Sequence, residues 1–134
     1  MVIADLEGEG PASPRLEALR RCARDARDAL YEGDLARFGR ALTENTDAQE
    51  RLHPGLVGQT ARRLIGIAST CGAAGWKVNG AGGEGGSVTL LCGDGPGHAQ
   101  RVIEAIEAEE GPHRVIPVRL SPEGVRVSET TAES

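Results

Sequence analysis

The sequence predicts an α+β domain in which a four-stranded antiparallel sheet carries helices on one face. Three observations predict it. Apolar residues recur at spacings of three and four between Leu16 and Cys71, as in amphipathic helices. After Gly72 the period changes to short β-branched runs separated by glycine and proline. Between the first two of those runs, five glycines fall within seven residues, from Gly80 to Gly86.

The first helix opens at Ser13-Pro14, a hydroxyl cap followed by proline at the first helical position. Leu16, Leu19, Ala23, Ala26 and Leu30 give it one apolar stripe. Gly33 ends it, and Asp34 caps a second helix whose buried face is Leu35, Phe38 and Leu42 and which runs to about Leu52. After a joint at His53-Pro54-Gly55 a third helix aligns Val57, Ala61, Leu64, Ile65, Ala68 and Cys71, and Gly72 closes it. Trp76–Asn79 and Ser87–Cys92 read as strands. A turn at Gly93–Gly97 leads into a fourth helix with Ala99, Val102, Ile103 and Ile106 on one side. Val115–Leu120 and Gly124–Val127 read as two further strands about a Ser121–Gly124 turn. Pro117 cannot donate to a ladder, which places its strand at an edge or a bulge.

Composition narrows the function classes. A chain of 134 residues is one domain on size, with room for a modest core. Residues 1–12, rich in Glu, Gly and Pro, read as a flexible arm, 13–127 as the folded domain, and 128–134 as a disordered tail. The formal charge is −5, and Tyr31, Phe38 and Trp76 are the only aromatics. An acidic chain without stacking platforms argues against nucleic-acid binding. No apolar run reaches the roughly 20 residues of a membrane span. The N-terminus lacks the basic and apolar regions of a signal peptide, so a cytoplasmic location is expected. Cys22, Cys71 and Cys92 are widely spaced, without the paired spacing of a zinc site. They read as small buried hydrophobes in a reducing compartment.

The glycine-rich stretch carries the functional signal. Glycine has an entropic cost that a chain accepts where the backbone needs positive φ or approaches something closely, and phosphate is a frequent reason. Gly80, Gly82 and Gly85 spell a G-x-G-x-x-G string. The dinucleotide-binding form of that string must open a helix that holds the pyrophosphate. Here Ser87-Val88-Thr89-Leu90-Leu91-Cys92 follows, a strand, so that reading fails on context.

The stretch instead resembles the third, C-terminal motif of the galactokinase, homoserine kinase, mevalonate kinase and phosphomevalonate kinase superfamily, the GHMP small-molecule kinases. The likeness runs without gaps from Lys77 through Gly80-Ala81-Gly82-Gly83 to Val88-Thr89-Leu90. It extends back through Ala68–Gly75, and through Gly33–Gly39, Gln49 and Leu52 it is similar to paired helices of the sugar-kinase branch. It covers roughly residues 15 to 127. The resemblance implies a ferredoxin-like C-terminal domain. It places Lys77, Gly80, Ala81, Gly82, Gly83, Gly85 and Gly86 beside nucleotide phosphates, and Asn45 and Gln49 on the substrate side.

In such kinases the N-terminal half supplies the main phosphate-cradling loop and usually the carboxylate that binds metal or takes the substrate proton. The present 134 residues contain neither that loop sequence nor a G-x-x-x-x-G-K-[S/T] string. No catalytic residue, catalytic histidine or metal ligand is assigned. ATP and Mg²⁺ are expected only when an N-terminal half complements the chain. Glu84 stands where the family commonly has glycine, and must point away from phosphate, meet a metal ion, or belong to a loop that no longer touches nucleotide. Lys77 is open between a phosphate-facing cation and a solvated face residue. Two functions stay in view: the substrate-lid portion of an ATP-dependent sugar kinase, inactive alone, or a non-catalytic binding or self-association module. The expected partners are a separately encoded N-terminal half or a second copy, and a sugar or sugar phosphate.

Overall fold

The computed structural model describes residues 13–80 and 83–131. The expected arm at 1–12, the final tail residues 132–134, and the loop positions Ala81 and Gly82 lie outside the described residues. Helix α1 spans Pro14–Glu32 and α2 spans Leu35–Leu52. The Ser13 hydroxyl makes no capping bond to α1, and Ser13 is instead buried. Gly33 closes α1 in the left-handed region at φ 70°, with the N–H groups of Gly33 and Asp34 returning to Leu30 and Ala29 carbonyls. Asp34 then caps α2 by accepting the Arg37 N–H at 2.9 Å. Both devices are those expected from the sequence.

The α1–α2 hairpin buries small side chains. Cys22 and Ala29 of α1 and Ala41 and Ala48 of α2 are all inaccessible to solvent. The buried line is therefore rotated from the expected stripe: Ala23 is exposed, and Leu30 and Leu35 are 54% and 55% exposed at the hairpin end. Small residues let two helices approach closely, and the larger ones are left at the margin. Arg37 ties the two helices, bonding Asp25 and, at 2.7 Å, Glu32.

The His53 ring accepts the Gly55 N–H at 3.1 Å and so caps a 3₁₀ turn at Pro54–Leu56. Helix α3 follows at Gln59–Thr70. Strand β1 (Gly75–Asn79) pairs antiparallel with β2 (Ser87–Leu91), Trp76 opposite Leu90 and Val78 opposite Val88. Strand alternation puts Trp76, Val78, Val88 and Leu90 on one face and Lys77, Asn79, Ser87 and Thr89 on the other. Helix α4 covers His98–Ala108 and packs on α3. His98 is a buried clasp: its Nδ1 accepts the Gly93 N–H at 2.7 Å and its Nε2–H donates to the Cys71 carbonyl at 2.7 Å. Of the fourth helix's expected apolar side, Ala99 is exposed while Val102 and Ile106 are buried.

Helix α2 lies along the outer edge of β1, backbone against backbone. A Cβ on Gly75 would sit 2.1 Å from the Gly39 carbonyl oxygen, and one on Gly39 would sit 2.3 Å from the Ala74 oxygen. At the same contact the buried Thr46 hydroxyl accepts the Val78 N–H at 3.3 Å and lies 3.2 Å from the Trp76 oxygen. One side chain thus occupies two of the hydrogen-bonding groups that β1 turns away from β2.

The fold is α+β with four helices and a two-stranded antiparallel sheet among the described residues. The expected third and fourth strands do not form a ladder here. Residues 115–120 and 124–127 carry no regular structure and are largely exposed, around the expected turn, where Ser121 Oγ accepts the Glu123 N–H. An isolated two-stranded hairpin is marginal in water without a covering layer. Pro117 removes a donor, and the outer edge of β1 is already taken by α2. Cys22 is buried as expected, whereas Cys71 and Cys92 are only half-buried. Residues 128–131 are exposed and without regular structure.

Candidate functional site

The loop between β1 and β2 is built on left-handed glycines. Gly80, Gly83, Gly85 and Gly86 have φ of 69°, 82°, 119° and 77°, which side-chain-bearing residues rarely adopt. This accounts for the glycine density directly. The loop is docked at Gly83. Gly83 forms a parallel bridge with Val57, and its N–H reaches the Leu56 carbonyl at 3.0 Å. Gly80, Gly85 and Gly86 remain exposed, so the loop presents bare backbone on its outer side.

Glu84 settles against the start of α3. Its carboxylate accepts the Gln59 backbone N–H at 2.6 Å and lies 3.5 Å from the Thr60 hydroxyl oxygen. Gly58 makes room for it, because a Cβ there would meet the Glu84 carboxylate oxygen at 2.7 Å. The first N–H groups of a helix have no partner within the helix and favour negative charge. The sequence left three alternatives for Glu84, and none of them included this contact with its own chain. The sequence carried a signal for it: Gly58-Gln59-Thr60 opens a helix with no acidic residue of its own in the first turn.

Lys77, expected beside nucleotide phosphates, and Gln49, expected on the substrate side, are brought together. The Lys77 ammonium donates to Gln49 Oε1 at 2.8 Å and also to the Val78 carbonyl oxygen. Burial holds the Lys77 ammonium below the usual lysine range. Lys77 is therefore half-buried and engaged, neither a freely solvated residue nor an unattached cation. Asn45 lies one turn before Gln49 on α2 and is half-buried. Beside Lys77, Asn79 Nδ2 donates to Thr89 Oγ1 at 2.8 Å and Ser87 Oγ at 3.2 Å. Sequence reasoning passed over this polar face, although the alternation Lys77, Asn79 and Ser87, Thr89 marks it.

No three His, Cys, Asp or Glu side chains converge on a metal-sized site among the described residues. Two open depressions, about 450 and 580 Å³, lie at the end of α4 and between α3 and α4, and neither is lined by loop residues. No described helix is long and apolar enough to cross a membrane.

Comparison with known proteins fits this geometry. A family model described as the GHMP kinases C terminal matches residues 26–113. The fold is similar to that in the crystal structure of L. major mevalonate kinase in complex with R-mevalonate, with a TM-score of 0.66 and 23% identity. That match covers 81% of this chain and 33% of the mevalonate kinase chain. No curated protein matches the chain.

Proposed function

Since the chain belongs to the GHMP kinase C-terminal family, we propose that it serves as the glycine-loop, substrate-covering portion of an ATP-dependent small-molecule kinase. The observation that carries the reading is the docked β1–β2 loop, whose left-handed glycines leave exposed backbone at Gly80, Gly85 and Gly86. Such backbone can lie against phosphates gripped mainly by another domain. In this reading a phosphate-binding half, on the same or a separate polypeptide, supplies the main phosphate loop, the Mg²⁺ ligands and the proton acceptor. ATP and Mg²⁺ enter only with that half, and the present chain alone is inactive.

Lys77 is the one lysine of the chain. Held by Gln49, it is the cation nearest in sequence to the loop. Phosphoryl transfer depends on positioning and on neutralising spread charge, and a positioned ammonium serves both. Asn45 and Gln49 supply amide groups for a hydroxylated substrate, and likeness to sugar-kinase branches favours a sugar or sugar phosphate. Val115–Leu120 and Gly124–Val127 complete a four-stranded ferredoxin-like sheet once a strand edge, of this or another copy, receives them. A cytoplasmic site suits the three free thiols.

The test is titration of the purified chain with ATP–Mg²⁺ and with a panel of sugar phosphates, followed by mixing with a GHMP-type phosphate-loop half. ATP turnover is expected in the mixture and not in either part. Turnover by this chain alone would overturn the proposal. The second reading, a non-catalytic module, is favoured by Glu84, whose carboxylate holds the loop against α3 and puts negative charge beside it. Under that reading the mixture stays inactive and ATP does not bind.

A further inference from the structure

The two edges of the sheet are treated differently. The outer edge of β1 is sealed by α2, through Thr46 and the Gly39–Gly75 approach. In an antiparallel pair, residues opposite each other direct their backbone groups the same way relative to the shared seam. Because Trp76 and Val78 turn theirs outward to Thr46, their partners Leu90 and Val88 turn theirs to the outer edge of β2. Among the described residues, no strand pairs with that edge. An open edge of this kind is a template for another strand.

The same chain carries a ribbon without a strand partner whose sequence alternates as a strand does. Ile116, Val118 and Leu120 alternate along it at 61%, 88% and 101% exposure, and beyond the turn Val125 and Val127 are 95% and 89% exposed. Its root is fixed. Arg63 donates to the Glu110 carbonyl at 3.3 Å and pairs with Glu109 at 3.2 Å, while the His113 ring donates to the Ile106 carbonyl at 2.8 Å. These contacts hold residues 109–113 on α3 and α4, and from Ile116 onward the ribbon is exposed.

We propose that this ribbon is a dimerisation arm: residues 115–120 of each chain add to the open β2 edge of a second copy, reciprocally. The occupant follows from self-complementarity, since one chain supplies both the strand and the edge that an isologous contact requires. Charge agrees. The ribbon has Arg114, Arg119 and Arg126 against Glu123, whereas β2 bears no charge and is flanked by Glu84 and Asp94. The area also suffices. The three exposed apolar side chains of 115–120, at about 100 Å² each and counted for two copies, give about 600 Å², and the surfaces that cover them about as much again. Stable interfaces begin near 1,200 Å² in total.

The test combines light scattering with amide hydrogen exchange on the whole chain. The wild type is expected to be a dimer in which the Val88 and Leu90 amides exchange slowly. Val118→Arg combined with Leu120→Arg changes only solvent-exposed side chains, so the fold of each copy survives, as circular dichroism checks. That variant is expected to weaken the dimer by about a hundredfold, the scale of two lost apolar anchors, and to leave both amides fast. A wild-type monomer overturns the proposal, including one whose β2 amides are protected by its own ribbon. So does a dimer that leaves those amides unprotected or that survives the double substitution.

Discussion

The Glu84 carboxylate accepts the backbone N–H of Gln59 at 2.6 Å, joining a glycine loop to the start of a helix 25 positions earlier in the chain. A side chain of the loop therefore does for α3 what an N-cap residue ordinarily does from the helix itself. Gly58, which precedes the helix, has no side chain to offer. Glu84→Ala is expected to lower stability by about 1 kcal/mol, the usual cost of a lost N-cap, measured by denaturant unfolding. Glu84→Gln keeps an acceptor and should recover part of that loss. If Glu84→Ala is as stable as the wild type, the contact contributes nothing.

Gly39 and Gly75 are required for a different reason, because neither is in the left-handed region and both sit where two backbones touch. A methyl group at Gly75 would lie 2.1 Å from the Gly39 oxygen, and the atom it meets belongs to a rigid helix rather than a mobile side chain. Gly75→Ala and Gly39→Ala should each destabilise by about 2–3 kcal/mol through overpacking. The double variant should cost less than the sum, since both changes push apart the same pair of elements. Thermal unfolding of the three variants is the check. Full additivity would show that the two residues do not share one contact.

Much of this architecture was legible in the residues. Gly33 and Asp34 are local signals, and the structure uses them as the sequence suggests, because a left-handed closure and a side-chain cap depend on a few neighbouring atoms. The β1–β2 pair was equally plain, since alternation of Trp76-Lys77-Val78-Asn79 against Ser87-Val88-Thr89-Leu90 fixes which face is apolar. Positions decided by distant contacts were less readable. The face that α1 buries depends on how closely α2 approaches, and periodicity alone cannot favour Cys22 and Ala29 over Ala23 and Leu30. Ser13 looked like a cap and is instead buried. Val115–Leu120 has the composition of a strand, but a strand needs a neighbour, and among the described residues it has none. In the candidate site, the glycine loop announced itself, whereas the meeting of Lys77 with Gln49 depends on a contact across 28 positions.

Thr46 offers a test of that edge. Its hydroxyl accepts the buried Val78 N–H at 3.3 Å and lies 3.2 Å from both the Trp76 and Leu42 oxygens, so one proton serves two acceptors. Thr46→Val keeps the shape and leaves the Val78 donor without a partner. The expected cost is about 1–3 kcal/mol, the penalty of an unsatisfied buried group, and Thr46→Ser should retain most of the stability. Hydrogen exchange at Val78 should quicken in the Val variant. An unchanged rate there would mean that α2 itself, rather than the hydroxyl, shields the edge.

Lys77 gives a pH dependence whose sign can be worked out. Burial lowers its pKa in the folded chain below the ordinary value of 10.5. Between the folded and unfolded values the unfolded chain binds more protons, so stability rises with pH across that interval. At lower pH both states are protonated, and the cost of half-burying an ammonium is present in full. Above 10.5 both are neutral and that cost has gone. Lys77→Met removes the titrating group. The difference in unfolding free energy between wild type and variant should then shift in favour of the wild type as pH climbs from neutrality toward 10.5. The bonds that the ammonium donates to Gln49 and Val78 favour its charged form, so the slope reports burial net of those bonds. A flat difference, or one that moves against the wild type, would show that burial does not outweigh those bonds at Lys77.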